Sequence, residues 1–335
     1  MGKIAFVFSG QGDQFPGMGK DLYEKYPAAR KIYDLCDGIR PGTSAQCFHG
    51  TEDELKETKN TQPCLFAMEL AAANVLMENL MKKGLAPGAA AGFSLGEVTA
   101  AVVSGAFDNE TGFRLVCKRG ELMQKEAEKF DTFMAAVVKL TPGQVQEVCE
   151  KYPDVYPVNF NCPGQITVSG LTSQMKDFTA DVRAAGGRAI PLKVKGAFHS
   201  PFMKEAAEAF AGELANVKVN KPGLPLYSNR TGKPYEDDVA GLLSSQICSP
   251  VQWETIIRNM IAAGVDTFIE IGPGKTLTNM IRKISKDVKA VTVTEYLADY
   301  PAEVKGCCAE TERDCAETRK GCAETEGCRK KKQRR

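Results

Sequence analysis

Along the chain, short apolar runs alternate with longer stretches in which apolar residues recur every three or four positions, the spacing of helices with one buried face. Ile4 to Phe8 reads as a strand that ends in the glycine-rich loop SGQGDQFPGMG, and a helix follows from Asp21 to Cys36. Further helices are expected from Glu52 to Thr58, from Gln62 to Lys83 and from Glu110 to Lys129. Between the last two lie a short strand over residues 89–91 and a helix from Gly96 to Ala106. At Phe133 the texture changes. A strand (133–140), a helix opened by TPGQ (141–151), two strands (155–160 and 165–169), a helix (172–185) and a strand (188–194) follow in turn. That βαββαβ order is the ferredoxin-like signature. It interrupts an α/β alternation that resumes with a helix from near Pro201 to Ala215, the segment LPLYSNRTG, a helix from Trp253 to Ala263 and the buried strand DTFIEIG. The expected fold class is α/β: a discontinuous large domain of residues 1–130 and 197–300, with a small domain of residues 131–196 inserted into it.

The junction between strand 89–91 and its helix carries Gly92-Phe93-Ser94-Leu95-Gly96. A serine forced onto a sharp strand-to-helix turn needs neighbours two positions away that lack side chains, and the helix that follows points its amides back at the hydroxyl. As a bare pattern Gly-x-Ser-x-Gly also describes an ordinary structural turn, so a nucleophile reading requires a base. The chain holds only two histidines. His49 sits in a polar segment before a helix start at Thr51, where a solvated surface role is expected. His199, in VKGAFHSPFM, lies where a strand gives way to a helix, at the sheet edge where open α/β folds build their sites. It is either the partner of Ser94 or a core histidine capped by backbone. A cleft between the two lobes is the natural place for a site.

Composition narrows the classes without choosing among them. With 335 residues, 43% hydrophobic and 25% charged, the chain can bury a large core. The formal net charge of +1 gives no electrostatic footprint for nucleic acid. The start leads into a strand without an apolar leader, and no apolar run was expected to reach the roughly 18 residues that span a bilayer, so a cytoplasmic protein with no membrane association is expected. Seven of the twelve cysteines are scattered from Cys36 to Cys248 without metal-ligand spacing and read as buried reduced thiols. Five crowd into residues 301–335, where a seven-residue repeat is followed by RKKKQRR; this tail is expected to be disordered. No metal site is expected, and the Gly-Lys-Thr of EIGPGKTL lacks the upstream glycine of a phosphate loop, because residue 269 is isoleucine.

Several stretches occur together and in order: FVFSGQGDQ (6–14), TQP (61–63), GFSLGE (92–97), FRLVCKRGELMQ (113–124), NCPGQITVSG (161–170), GAFHSPFM (196–203), SPVQW (249–253) and EIGPGKTL (270–277). Together they resemble the malonyl-CoA:acyl carrier protein transacylases and the acyltransferase domains of fatty-acid and polyketide synthases. The resemblance spans nearly all of residues 1–300 and implies an α/β-hydrolase-like body with an inserted ferredoxin-like lobe. It implies Ser94 as nucleophile, His199 as base, the backbone amides of Gln11 and Leu95 as oxyanion hole, and the carbonyl of Gln246 as the group that orients the histidine. For the acyl carboxylate it implies Arg114; residue chemistry alone leaves Arg114 and Arg119, which share one helix, equally open. Phe198 matches a position that would crowd a branched acyl group.

Two departures stand out: Phe93 replaces the usual histidine before the nucleophile, and Asp13 replaces the usual serine in the Gly-Gln-Gly loop. Asp13 is expected to point outward, since a carboxylate facing the site would oppose a developing oxyanion. The implied activity is transfer of a malonyl group from malonyl-CoA to a phosphopantetheinylated acyl carrier protein. It requires no bound cofactor, and a monomer is the default. A thioester hydrolase using the same Ser94 and His199, and a noncatalytic carrier-binding protein, are the alternatives.

Overall fold

The computed structural model describes residues 2–194 and 196–299. The strands are β1 (Lys3–Phe8), β2 (Ala89–Gly92), β3 (Thr132–Val138), β4 (Val155–Cys162), β5 (Gln165–Leu171), β6 (Arg188–Pro191), β7 (Leu226–Tyr227), β8 (Val265–Ile271) and β9 (Lys289–Thr292). They form two sheets. One is five-stranded in the order β7-β2-β1-β8-β9, parallel throughout. Its central strands read as apolar runs because both faces are covered: Ala5 to Phe8 in β1, and Phe268, Ile269 and Ile271 in β8, are fully buried.

The second sheet has the order β4-β5-β3-β6 and is antiparallel. With the helices Pro142–Cys149 and Met175–Ala184 between its strands, it is a ferredoxin-like lobe with its own core, including Val145, Ile166, Phe178 and Val182. The lobe stays attached to the body through backbone. Phe160 donates to the carbonyl of Val251 and Val251 donates to that of Val158, both at 2.9 Å.

The long helix Thr58–Lys82 begins four residues before the expected start at Gln62 and carries Pro63 in its second turn. Proline removes a single amide donor near the first turns, and the buried residues on both sides carry the helix past it. By length and composition this helix qualifies as a membrane span, against the expectation that no run would, yet 78% of its most apolar stretch is covered by the rest of the protein. It is the central helix of the body. Four further helices escaped the pattern: Thr43–His49, which leaves His49 exposed on its last turn, Val239–Ser245, Val293–Asp299 and Thr276–Ile284. The last begins at the Gly-Lys-Thr turn. Its free amides at Leu277 and Thr278 donate to the buried carboxylate of Glu270 at 2.9 and 2.7 Å. Strand β6 is shorter than expected, and Leu192 and Val194 beyond it line a cavity instead. The expectations for residues 301–335 lie outside the described residues.

Candidate active site

Strands β1 and β2 end side by side, with Phe8 paired to Gly92, so the loop after one meets the turn after the other. Ser94 sits on that turn with φ 55°, in the left-handed region. The glycines around it serve close approach. A Cβ at Gly92 would overlap the backbone of Gly96 and Glu97, and one at Gly96 would overlap the carbonyls of Phe8 and Ser9. On the other side, a Cβ at Gly10 would lie 2.8 Å from the carbonyl oxygen of Phe93, so glycine there lets the Gln11 loop lie against the turn. The helix Gly96–Val103 departs from the turn.

Asn229 fastens the turn from the far side. Its Oδ1 accepts the Ser94 amide at 2.7 Å and its Nδ2 donates to the Gly92 carbonyl at 2.6 Å. The Ser94 amide is thereby occupied, which leaves the Leu95 amide, at the head of the helix, to act with that of Gln11 as the expected pair of donors.

His199 is 3% exposed and also adopts a left-handed backbone, φ 63°. Its Nδ1 lies 2.9 Å from the carbonyl of Gln246 and its Nε2 lies 2.8 Å from Ser94 Oγ. A carbonyl only accepts, so the proton belongs on Nδ1 and Nε2 offers its lone pair to the hydroxyl. Burial, reinforced by the positive charge of Arg119, lowers the His199 pKa to about 4. The imidazole is therefore neutral and able to take a proton at physiological pH.

Over residues 5–320 the sequence matches the acyl transferase domain family. The chain belongs to this family. Among its relatives is the malonyl CoA-acyl carrier protein transacylase of Bacillus subtilis, 38% identical over 88% of this chain and 94% of the relative. The enzyme of the same name from Escherichia coli is 35% identical over 88% and 97%. Among solved structures, the malonyl CoA-acyl carrier protein transacylase of Clostridium perfringens is 34% identical with a TM-score of 0.82, covering 97% of this chain and 99% of that one. A type II PKS acyl-carrier protein in complex with its malonyl-transacylase gives a TM-score of 0.84 at 31% identity, covering 89% and 99%.

In this acyl transferase domain the expected arginine, Arg114, lies away from the cavity that Ser94 and His199 line. Arg114 lies on the outer face of the helix Asn109–Ala127, its side chain 60% exposed and paired with Glu110 four residues earlier at 2.8 Å. Arg119, five positions on and turned to the opposite face, is fully buried. Its Nη2 donates to Gln246 Oε1 at 2.8 Å and lies 3.3 Å from Ser94 Oγ, while its Nη1 donates to Gln62 Oε1 at 2.8 Å. Its Nε has no protein partner. Burial lowers its pKa to about 10, opposed by the negative charge of Glu97, and it stays a cation.

Ser94, His199, Arg119 and Phe198 line a small cavity of about 80 Å³. It adjoins a larger cavity of about 510 Å³, the two sharing Gln11, Phe93, Asn159, Leu192 and Val194. Phe93 stands in this shared wall and packs edge-on against Trp253, ring centres 5.6 Å apart. Asp13 does not point outward as expected. It lines the larger cavity and accepts from Thr276 Oγ1 at 2.6 Å, bound to the turn before the helix Thr276–Ile284. Burial raises its pKa, and its hydrogen bonds with Thr276 oppose the rise. Among the described residues no group of three or more His, Cys, Asp or Glu side chains is arranged to hold a metal ion.

Sequence reasoning quoted the segments holding Gln62, Glu97 and Asn229 but gave these residues no role. Their partners lie up to 149 residues away, as between Gln246 and Glu97, and no local signal announces such pairs.

Proposed function

We propose that this protein transfers a malonyl group from malonyl-CoA to the phosphopantetheine thiol of an acyl carrier protein, through an ester on Ser94. The observation that carries the reading is a buried guanidinium with an unpartnered Nε, 3.3 Å from a serine that donates to a neutral histidine. Arg119, in place of Arg114, is the group proposed to hold the free carboxylate of the acyl chain.

Ser94 Oγ attacks the thioester carbonyl as His199 Nε2 takes its proton. The carbonyl oxygen becomes an oxyanion facing the amides of Gln11 and Leu95. Collapse breaks the carbon–sulfur bond, and His199 returns its proton to the departing sulfur of coenzyme A. In the second half-reaction His199 deprotonates the carrier thiol, whose sulfur attacks the ester, and Ser94 Oγ leaves with the proton. The carbonyl of Gln246 keeps the ring in the required tautomer, the part an acidic residue plays in a catalytic triad. Arg119 suits the acyl carboxylate because a guanidinium donates charge-assisted bonds at fixed geometry that a neutral acyl group cannot accept as strongly.

The test is intact-protein mass after mixing with malonyl-CoA or acetyl-CoA and then with a holo acyl carrier protein. A malonyl adduct that is absent in Ser94→Ala and moves to the carrier is expected. Release of free malonate in place of transfer would instead mark a hydrolase, and no adduct on the wild type would remove the nucleophile reading.

A further inference from the structure

Glu97 is fully buried on the first turn of the helix that leaves the Ser94 turn. A buried carboxylate is costly unless its oxygens are satisfied, and here each one is. Oε1 accepts the Asn229 amide at 2.7 Å and the Tyr235 hydroxyl at 2.6 Å; Oε2 accepts Gln246 Nε2 at 2.7 Å. The same Gln246 Nε2 donates to the Ser94 carbonyl at 2.7 Å. Both of its hydrogens are thus committed to acceptors, which fixes the orientation of the amide and turns its oxygen toward Arg119.

The result is a three-group relay of carboxylate, amide and guanidinium. Glu97 balances the charge of Arg119 without touching it, with one glutamine between them. Through the glutamine, the cation is compensated and oriented while its Nε stays unpartnered.

We propose that Glu97 is a positioning residue for acyl-group selection: by holding the Gln246 amide in one orientation it aims Arg119 at the carboxylate of the bound acyl group. This rests on the malonyl-transfer reading above. Replacing the carboxylate by an amide sets the relay against itself. In Glu97→Gln the new oxygen is claimed by the Asn229 amide and Tyr235, so the new NH2 faces the NH2 of Gln246. Gln246 must turn over, and it then presents donors to Arg119.

The experiment measures kcat/KM for malonyl-CoA and acetyl-CoA with one holo acyl carrier protein, in wild type, Glu97→Gln, Arg119→Ala and the double variant. The expected result is a fall in the malonyl-to-acetyl ratio of about tenfold in Glu97→Gln, with no further fall when Arg119 is already alanine. An unchanged ratio in Glu97→Gln overturns the proposal. An equal fall in the Arg119→Ala background also overturns it, since Glu97 would then act by another route. If Glu97→Gln does not fold, Gln246→Met decides: it breaks the relay while leaving the carboxylate and the backbone carbonyl on His199. The same fall, again absent with Arg119→Ala, supports the proposal, and an unchanged ratio ends it. A wild type that forms no malonyl-carrier product removes the malonyl-transfer reading itself, which is a separate outcome.

Discussion

Arg114 and Arg119 differ by five positions on one helix, about 500° of rotation and so nearly opposite faces. One is a solvated i, i+4 partner of Glu110; the other lies 3.3 Å from Ser94 Oγ. Arg119→Ala is expected to lower the malonyl-to-acetyl preference about 10- to 100-fold, the worth of one or two charge-assisted bonds. Arg114→Ala, which loses only an exposed pair, should change it less than about twofold. Competition between the two acyl-CoA substrates measures both. Sequence singled out Ser94 and His199, which the structure brings to 2.8 Å of each other, because their chemistry is rare in this chain, but nothing local distinguishes a buried arginine from an exposed one on a helix with charges on several faces. His199 carries a pH prediction. With its pKa near 4 against the ordinary 6.5, the imidazole stays neutral through pH 5. Labelling of Ser94 by an uncharged fluorophosphonate should therefore hold its rate from pH 7 to about 5 and fall only below that. A half-loss near pH 6.5 would show an imidazole exposed to water.

Elements built around glycine respond according to what each glycine faces. Gly92→Ala and Gly96→Ala each drive a methyl group into backbone, and each is expected to lower the unfolding free energy by about 3 kcal/mol or more. Gly212→Ala is the control. It lies in the helix Lys204–Leu214 with open space around it, and alanine there should raise stability by about 0.5 to 1 kcal/mol. Urea midpoints measure all three. Strong local signals made the two lobes readable: apolar runs for β1 and β8, the βαββαβ order for the inserted lobe. Short pieces did not announce themselves. Strand β7 is two residues long and holds its place by pairing with β2, a partner more than a hundred residues away. The helix Thr276–Ile284 depends on Glu270 to satisfy its first amides, and that service is visible only once the chain is folded.

The molecule as a whole has an interior that titrates. Glu69, accepting from Ser9 and Thr99, and Glu97 have pKa values raised by burial to about 8 and about 7. A raised carboxyl pKa means that the folded state holds a proton the unfolded chain has released. The associated stability is complete below pH 4.5 and is lost as pH rises through 7 and 8. His199 acts in the opposite sense: its stability is complete above pH 6.5 and is lost as pH falls toward 4. Stability should therefore decline on both sides of mildly acidic pH, and Glu69→Gln should flatten the alkaline side when urea midpoints at pH 5.5 and 8.5 are compared. The left-handed turn at Ser94 also weighs on the whole fold. Any side chain there is strained, so Ser94→Gly should be more stable than Ser94→Ala by about 1 kcal/mol, although both lack the hydroxyl. Selection for heat resistance alone would thus favour glycine at this position, against the turnover proposed for the serine.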